Sequence, residues 1–421
     1  MKIYKPRLID SIIEQKLSSI GGIVLRGPRF AGKTTTALSH ANSSVRLDSS
    51  PQIVQQAMLA PDSLLMGATP RVIDEWQLAP DLWNAVRHEI DQRAKPGQFI
   101  LAGSAAPNDD VTRHTGTGRL ARVALKPMTL QESKDSLMQV NIAEFLSDSL
   151  NIGAFGGLSV KEYAELIVRG GWPALVERSP EEAQDALSDY VSNVAAVDLR
   201  TLDSPPDPIR MEALIRAIAR NLSTEASLEK LAKESQISGA DLTTKTVRKY
   251  LDQLAQIYIL DELPAWKIHL RSSIQMRVKS KWHFVDPSLA AAALAISVND
   301  LIADPETLGL FFESLARRDL SVYAQCMGAS LFHYRDSSEL EIDFILQGKR
   351  GDWAAIEVKL GGAAGIDEAV ENFKKLKRRI PDSKLELLRA RVIITAGQSS
   401  YIRPDGVAIV ALGHLGLWTT N

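Results

Sequence analysis

The 421-residue chain has one cysteine, Cys326, so it can form no internal disulfide and no cysteine-based zinc cluster. It also lacks an excess of either charge, with 49 Lys and Arg against 51 Asp and Glu. That balance excludes a bulk polycation of the histone-like kind and leaves only local basic patches for nucleic acid. No apolar run approaches the roughly 20 residues that span a bilayer. The most apolar stretch, Leu289 to Ile296, is short and Ala-rich and reads as a buried helix. The first residues show no apolar signal core: Asp10 and Glu14 interrupt them, while Leu8, Ile12, Ile13 and Leu17 recur at helical spacing. The expectation is a cytoplasmic protein in a reducing compartment with no membrane partner. Internal repeats and low-complexity segments are absent, and the seven histidines show no metal-ligand spacing.

What is there suffices for two to four domains at ~100–200 residues each. From Gly21 to about Leu130, the aliphatic segments GGIVLRG, RVIDEW and QFILAGSA alternate with the helical AGKTTTALSHA and LWNAVRHEIDQRA. Such alternation predicts a parallel sheet covered by helices. Residues 131–222 turn largely helical, interrupted by the Gly-rich NIGAFGGL and by RGGWP, with the linker-like PPDP at 205–208. Residues 224–285 read as two helices and two basic strand-like stretches. Beyond about 306 a helix precedes strands at 340–346 and 354–360, a helix at 366–380, and strands near 391–395 and 406–412. The expected architecture is α/β multidomain. It comprises a parallel-sheet domain at 1–135, a helical lid at 136–222, a third domain at 223–300 and an α/β domain at 301–421.

Gly27-Pro28-Arg29-Phe30-Ala31-Gly32-Lys33-Thr34, followed by Thr35, matches G-x-x-x-x-G-K-[ST] between a strand and a helix. The glycines let backbone N–H groups curl around phosphate at a helix N-terminus. Lys33 would reach the β- and γ-phosphates of ATP and Thr34 would ligate Mg²⁺. Arg71-Val72-Ile73-Asp74-Glu75 supplies the acidic strand end, with Asp74 toward the metal and Glu75 as base for the attacking water. Ser104, ending the third strand, is placed to touch the γ-phosphate or the water. Arg119 is the candidate arginine finger to a neighbouring subunit of a homo-oligomer, with Arg122 as competitor.

Residues 228–254 pattern as helix, turn and helix, with Lys245, Arg248 and Lys249 on the outer face of the second helix. Lys267, Arg271, Arg277, Lys279 and Lys281 follow without a single acid, so a DNA-binding patch is expected. The alternative is a structural winged helix that docks the nucleotide domain to the rest of the chain, its basic wing merely solvated. Further on, alternation in EIDFIL and AIEVKL sets Asp343 on one face of its strand, and Glu357 with Lys359 on one face of the next. Glu313 on the preceding helix would join them. Two carboxylates and a lysine suit Mg²⁺-assisted phosphodiester cleavage, with Asp343, Glu357 and Glu313 as metal ligands.

GPRFAGKTT, RVIDEWQ, ILAGS and GRLARVALKPMTLQE resemble the ATP-binding proteins of the AAA+ superfamily, AAA_14 type, with a C-terminal DUF4143 region. RGGWPALV, YVSNVAAVDL, WHFVDPSLA and GLFFESL extend the resemblance over almost the whole chain, although Ala105 and Val197 depart from it. It implies an ATP-driven switch or motor. Asp343, Glu357 and Lys359 resemble the PD-(D/E)xK nuclease pattern, with Ile342 in the place of its proline. A nuclease fold kept only for binding, in a nucleotide-gated regulatory protein, stays open beside an ATP-regulated endonuclease.

Overall fold

Short segments, most of them aliphatic, build the first sheet of the computed structural model. The structure describes residues 4–103, 116–148, 150–196, 199, 206–236, 242–266 and 281–418. The chain divides into two compact units. One is Met1–Pro127 with Trp172–Ala174 and Gln256–Ile259; the other is Met128–Gly171, Leu175–Ala255 and Leu260–Asn421.

The first unit runs α1 (Asp10–Leu17), β1 (Gly22–Arg26), α2 (Lys33–Ser39), β2 (Ser43–Arg46), α3 (Pro51–Leu59), β3 (Arg71–Asp74), α4 (Leu82–Arg93), β4 (Phe99–Gly103) and β5 (Leu120–Ala124). The strands form one sheet in the order β2-β3-β4-β1-β5, and every pairing is parallel. β4 is buried throughout and β1 almost so, which is why both read as unbroken aliphatic runs. Leu82, Trp83, Val86 and Ile90 of α4 pack with Ile73, Phe99 and Leu101 of the sheet. Because the strands are parallel, the residues after β1 and β3 meet along one sheet edge.

The second unit begins with β6 (Val140–Asn141), β7 (Gly153–Phe155), α5 (Val160–Arg169), α6 (Pro180–Ala196), α7 (Pro208–Arg220), α8 (Leu228–Glu234) and α9 (Thr244–Gln256). Next come β8 (Leu260–Leu263) and β9 (Lys281–Phe284), an antiparallel pair, then α10 (Pro287–Leu294), α11 (Val298–Ala303) and α12 (Pro305–Met327). β10 (Ser330–Arg335), β11 (Glu341–Gln347), β12 (Trp353–Lys359), α13 (Ala363–Arg379), α14 (Asp382–Leu385), β13 (Leu388–Thr395), β14 (Ser399–Ile402), β15 (Ala408–Ala411) and β16 (Leu415–Gly416) follow. Seven strands make a mixed sheet, β10-β11-β12-β13-β15-β14-β7. Its edge strand β7 comes from the Gly-rich NIGAFGGL stretch that interrupts the helical region. Val370, Phe373 and Leu376 of α13 pack in one apolar cluster with Ile342, Trp353 and Ile393.

An ionic knot fastens this unit. Arg318, 2% exposed, donates to Asp319 (2.8 Å) and to Asp286 (3.1 Å), and both acids are fully buried. Asp286 also accepts the Gly171 amide (3.0 Å) and the Ser288 hydroxyl (2.6 Å), while Asp319 accepts the Leu130 amide (2.9 Å). Gly171 must lack a side chain, because a Cβ there would collide with the Met128 carbonyl oxygen. Removing one partner of a buried pair strands the other charge, at ~3–5 kcal/mol. Asp286→Ala should therefore lower the urea midpoint of the second unit, followed by near-ultraviolet circular dichroism. A midpoint equal to wild type would show that the knot carries little of the stability.

Candidate functional site

The loop after β1 is held open from outside and plugged from inside. A Cβ at Gly27 would strike the Leu125 carbonyl oxygen, and Gly32 turns into α2 at φ 96°, a conformation that glycine adopts freely. Lys33, 7% exposed, donates from Nζ to the carbonyl oxygens of Gly27 (2.9 Å) and Pro28 (2.7 Å). Burial drives its pKa down to about 8, against the pull of Glu75 and Asp74. Arg7 braces the outside, giving one guanidinium nitrogen to Ala31 O (2.9 Å) and another to Lys126 O (2.7 Å). Pro28 and Ala31 are buried, whereas Arg29, Phe30 and Thr35 are exposed.

The acidic residues stand beside this loop. Thr34 Oγ1 donates to Asp74 Oδ2 at 2.9 Å, and burial raises the Asp74 pKa. A hydroxyl and a carboxylate already in contact at a phosphate-binding loop are the two ligands that Mg²⁺ takes from a P-loop protein, so these residues fit that ion. Arg46 Nε lies 3.7 Å from Asp74 Oδ2. Glu75 sits in the left-handed region (φ 55°), which costs ~1–3 kcal/mol for a residue with a side chain. Its carboxylate accepts the Gln77 amide, and buried Trp76 is anchored against Trp83 with ring centroids 5.3 Å apart. Ser104 lies outside the described residues. Arg119 is bound by Asp91 of its own chain at 2.6 Å, and Arg122 is exposed on β5.

On α9, Lys245, Arg248 and Lys249 are exposed while Val247, Tyr250, Leu251 and Leu254 are buried. Arg248 pairs with Asp252 (3.1 Å), and its guanidinium lies 5.6 Å from the Trp282 ring centroid. Lys267, Arg271, Arg277 and Lys279 lie outside the described residues. Lys281 has to be removed from the expected DNA-binding patch. It is 2% exposed and pairs with Glu341, with Glu313 at 3.9 Å. Alternation along β9 turns Lys281 inward with fully buried His283, so the lysine faces carboxylates rather than solvent.

The C-terminal acids come together much as strand alternation expects. The register pairs Phe344 with Ile356, which sets Asp343 beside Glu357 on the adjoining rung. Asp343 Oδ2 accepts the Val358 amide (2.7 Å), Asn372 donates to Glu357 Oε1 (3.3 Å), and Lys359 Nζ stands 3.4 Å from Glu357 Oε2. Burial, then Asp343, pushes Glu313 and Glu357 well above the usual carboxylate range. Among the described residues no three His, Cys, Asp or Glu side chains are grouped as ligands of one ion. Arg7, Arg46 and Asn372 escaped the sequence reading, because each acts across a gap that no motif records, and Gln77 escaped it although it lies two residues after Glu75.

The AAA domain family matches residues 21–134, a domain of unknown function (DUF8612) residues 160–300, and another (DUF4143) residues 308–415. Two uncharacterized proteins, from Mycobacterium tuberculosis and Mycobacterium bovis, are each 22% identical over 330 residues, covering 77% of this chain and 67% of theirs. The Walker-type ATPase of Pyrococcus abyssi superposes with a TM-score of 0.44 at 14% identity, over 69% of this chain and 96% of that one. A STAND-class signal-transduction ATPase from Pyrococcus horikoshii reaches 0.23 at 10% identity, over 78% and 50%. With the loop, lysine and acidic strand end in place, residues 21–134 are a P-loop ATPase domain of the AAA kind, joined to a DUF4143 region at 308–415.

Proposed function

We propose that this chain hydrolyses ATP with Mg²⁺ and uses the nucleotide state to control how its second unit engages DNA. The nucleotide half rests on one observation: Lys33, Thr34, Asp74 and Glu75 share one edge of a parallel sheet, with Lys33 and Thr34 starting the helix. On ATP entry Lys33 exchanges the two loop carbonyls for β- and γ-phosphate oxygens, and Arg7 keeps the loop from closing behind it. Thr34 and Asp74 would hold Mg²⁺, which when bound neutralises the phosphate oxygens. Glu75, released by Gln77, orients the attacking water and takes its proton. Arg119 would serve a neighbouring subunit in a homo-oligomer after leaving Asp91.

The DNA half rests on the exposed Lys245, Arg248 and Lys249 of α9, which together with α8 and the antiparallel pair β8–β9 we read as a winged helix. We read residues 301–421 as nuclease-like from the run α12, β10, β11, β12, α13, β13 with Asp343 and Glu357-x-Lys359 on its central strands. A second reading, a nucleotide-gated regulatory protein whose nuclease-like domain binds without cleaving, is favoured by the two lysines that already face those acids.

Glu75→Gln should keep ATP binding and lower turnover by ~10²–10⁴-fold, because an amide cannot accept the water's proton. Phosphate release and equilibrium binding check this together, and undiminished turnover would move the base elsewhere. Arg7→Met should weaken ATP binding by about tenfold (~1.4 kcal/mol) by freeing the Ala31 and Lys126 carbonyls. Titration with a fluorescent ATP analogue measures it. Converting Lys245, Arg248 and Lys249 together to Glu should weaken duplex binding and flatten the salt dependence by ~0.9 log units per lost phosphate contact. Equal binding by variant and wild type across a salt series would reject this surface.

A further inference from the structure

Among the described residues of the expected basic patch Lys281 is the one found inside, and what it faces is the row of acids assigned to metal. Glu341 and Asp343 share a face of β11, Glu357 and Lys359 share the matching face of β12, and Glu313 approaches from α12. Lys281, on β9, pairs with Glu341 and lies 3.9 Å from Glu313 Oε1, an oxygen that is buried and accepts no hydrogen bond. Arg335 adds a third cation, 3.8 Å from Glu341. Burial opposes the charge on Lys281, yet Glu313, Glu341 and Asp343 outweigh it and raise its pKa. At the other end of the row Lys359 stands against Glu357, again with a raised pKa despite burial.

A divalent ion at this place would need the oxygens of Asp343, Glu357 and Glu313 to converge. One oxygen of Asp343 is committed to the Val358 amide and one of Glu357 to Asn372, and Glu313 is drawn toward an ammonium instead. A dication brought in with Lys281 still buried would meet that like charge at short range, where little water screens it.

We propose that Lys281 is the built-in counter-cation of this acidic row, so that the DUF4143 region is complete without metal and binds its partner rather than cutting it. The proposal rests on the nuclease-like reading of residues 301–421 and settles which of its two modes operates. It is independent of the ATP site, because neither Lys33 nor Asp74 takes part.

The test is Mn²⁺ binding to the full chain without nucleotide, by electron paramagnetic resonance and calorimetry. Each protein is compared with its own Asp343→Asn counterpart, so that ions at the ATP site cancel. Wild type and Asp343→Asn should bind Mn²⁺ alike. Lys281→Met should gain one Mn²⁺ per chain, at least tenfold tighter than any wild-type site, and Lys281→Met with Asp343→Asn should lose it. Lys281→Gln, which keeps a donor toward Glu341, supplies the same readout if the methionine variant fails to fold. Mn²⁺ binding by wild type that depends on Asp343 overturns the proposal, as does a folded Lys281 variant that gains no ion. Should neither variant fold, the wild-type comparison alone decides between the two outcomes. Failure of the ATPase or DNA reading would instead appear in turnover and duplex binding, which this titration does not measure.

Discussion

Arg318 lies between Asp286 and Asp319 with all three side chains out of water, and each acid takes a further hydrogen bond from a segment remote in sequence. An ionised carboxylate tolerates burial only when its lone pairs are used, and a single guanidinium cannot serve two acids fully. The amides of Leu130 and Gly171 supply the rest, which ties the MTL and RGG segments to α12 and to the start of α10. Much of the second unit is therefore arranged around keeping one cluster of charge satisfied. α12 is buried on nearly every side as a result, including Ser314, Arg317, Arg318 and Asp319.

The same rule separates two lysines of nearly equal burial. Lys33 rests on neutral carbonyl oxygens and its pKa falls, so an incoming polyanion offers it a better partner than the loop does. Lys281 rests on carboxylates and its pKa rises, so nothing in solvent improves on what it has. The first is poised to let go and the second to stay. What decides the difference is the charge of the partner rather than the depth of burial.

Strands buried on both sides were legible because they leave unbroken aliphatic runs: β1, β3 and β4 stand where GGIVLRG, RVIDEW and QFILAGSA placed them. β2 was not, since SSVR is a short, polar, half-exposed edge strand with no run to read. In the C-terminal half β11, β12 and α13 fall within a few residues of their expected bounds, because alternation and an amphipathic helix are both strong local signals. Asp343 beside Glu357 followed from two alternations, whereas Lys281 misled. A count of basic residues without acids cannot tell an outward lysine from one whose acids arrive from Glu313 and Glu341, on other elements. Arg7 escaped for the same reason, its acceptors being backbone carbonyls that have no letter in the sequence.

β7 completes the seven-stranded sheet by pairing with β14, and β6 pairs with β16, so residues near 140–155 find their partners only among residues near 399–416. More than half of the chain lies between them. As the polypeptide leaves the ribosome, those early segments must wait with their ladder hydrogen bonds unmade until residues near 399–416 have been synthesised. Long-range closure of this kind is entropically expensive and slow compared with local helix formation. The P-loop sheet draws its strands from residues 22–124 and faces no such delay. During synthesis, then, the strands of the nucleotide-binding sheet are all available while the sheet bearing Asp343 and Glu357 still lacks its final edge.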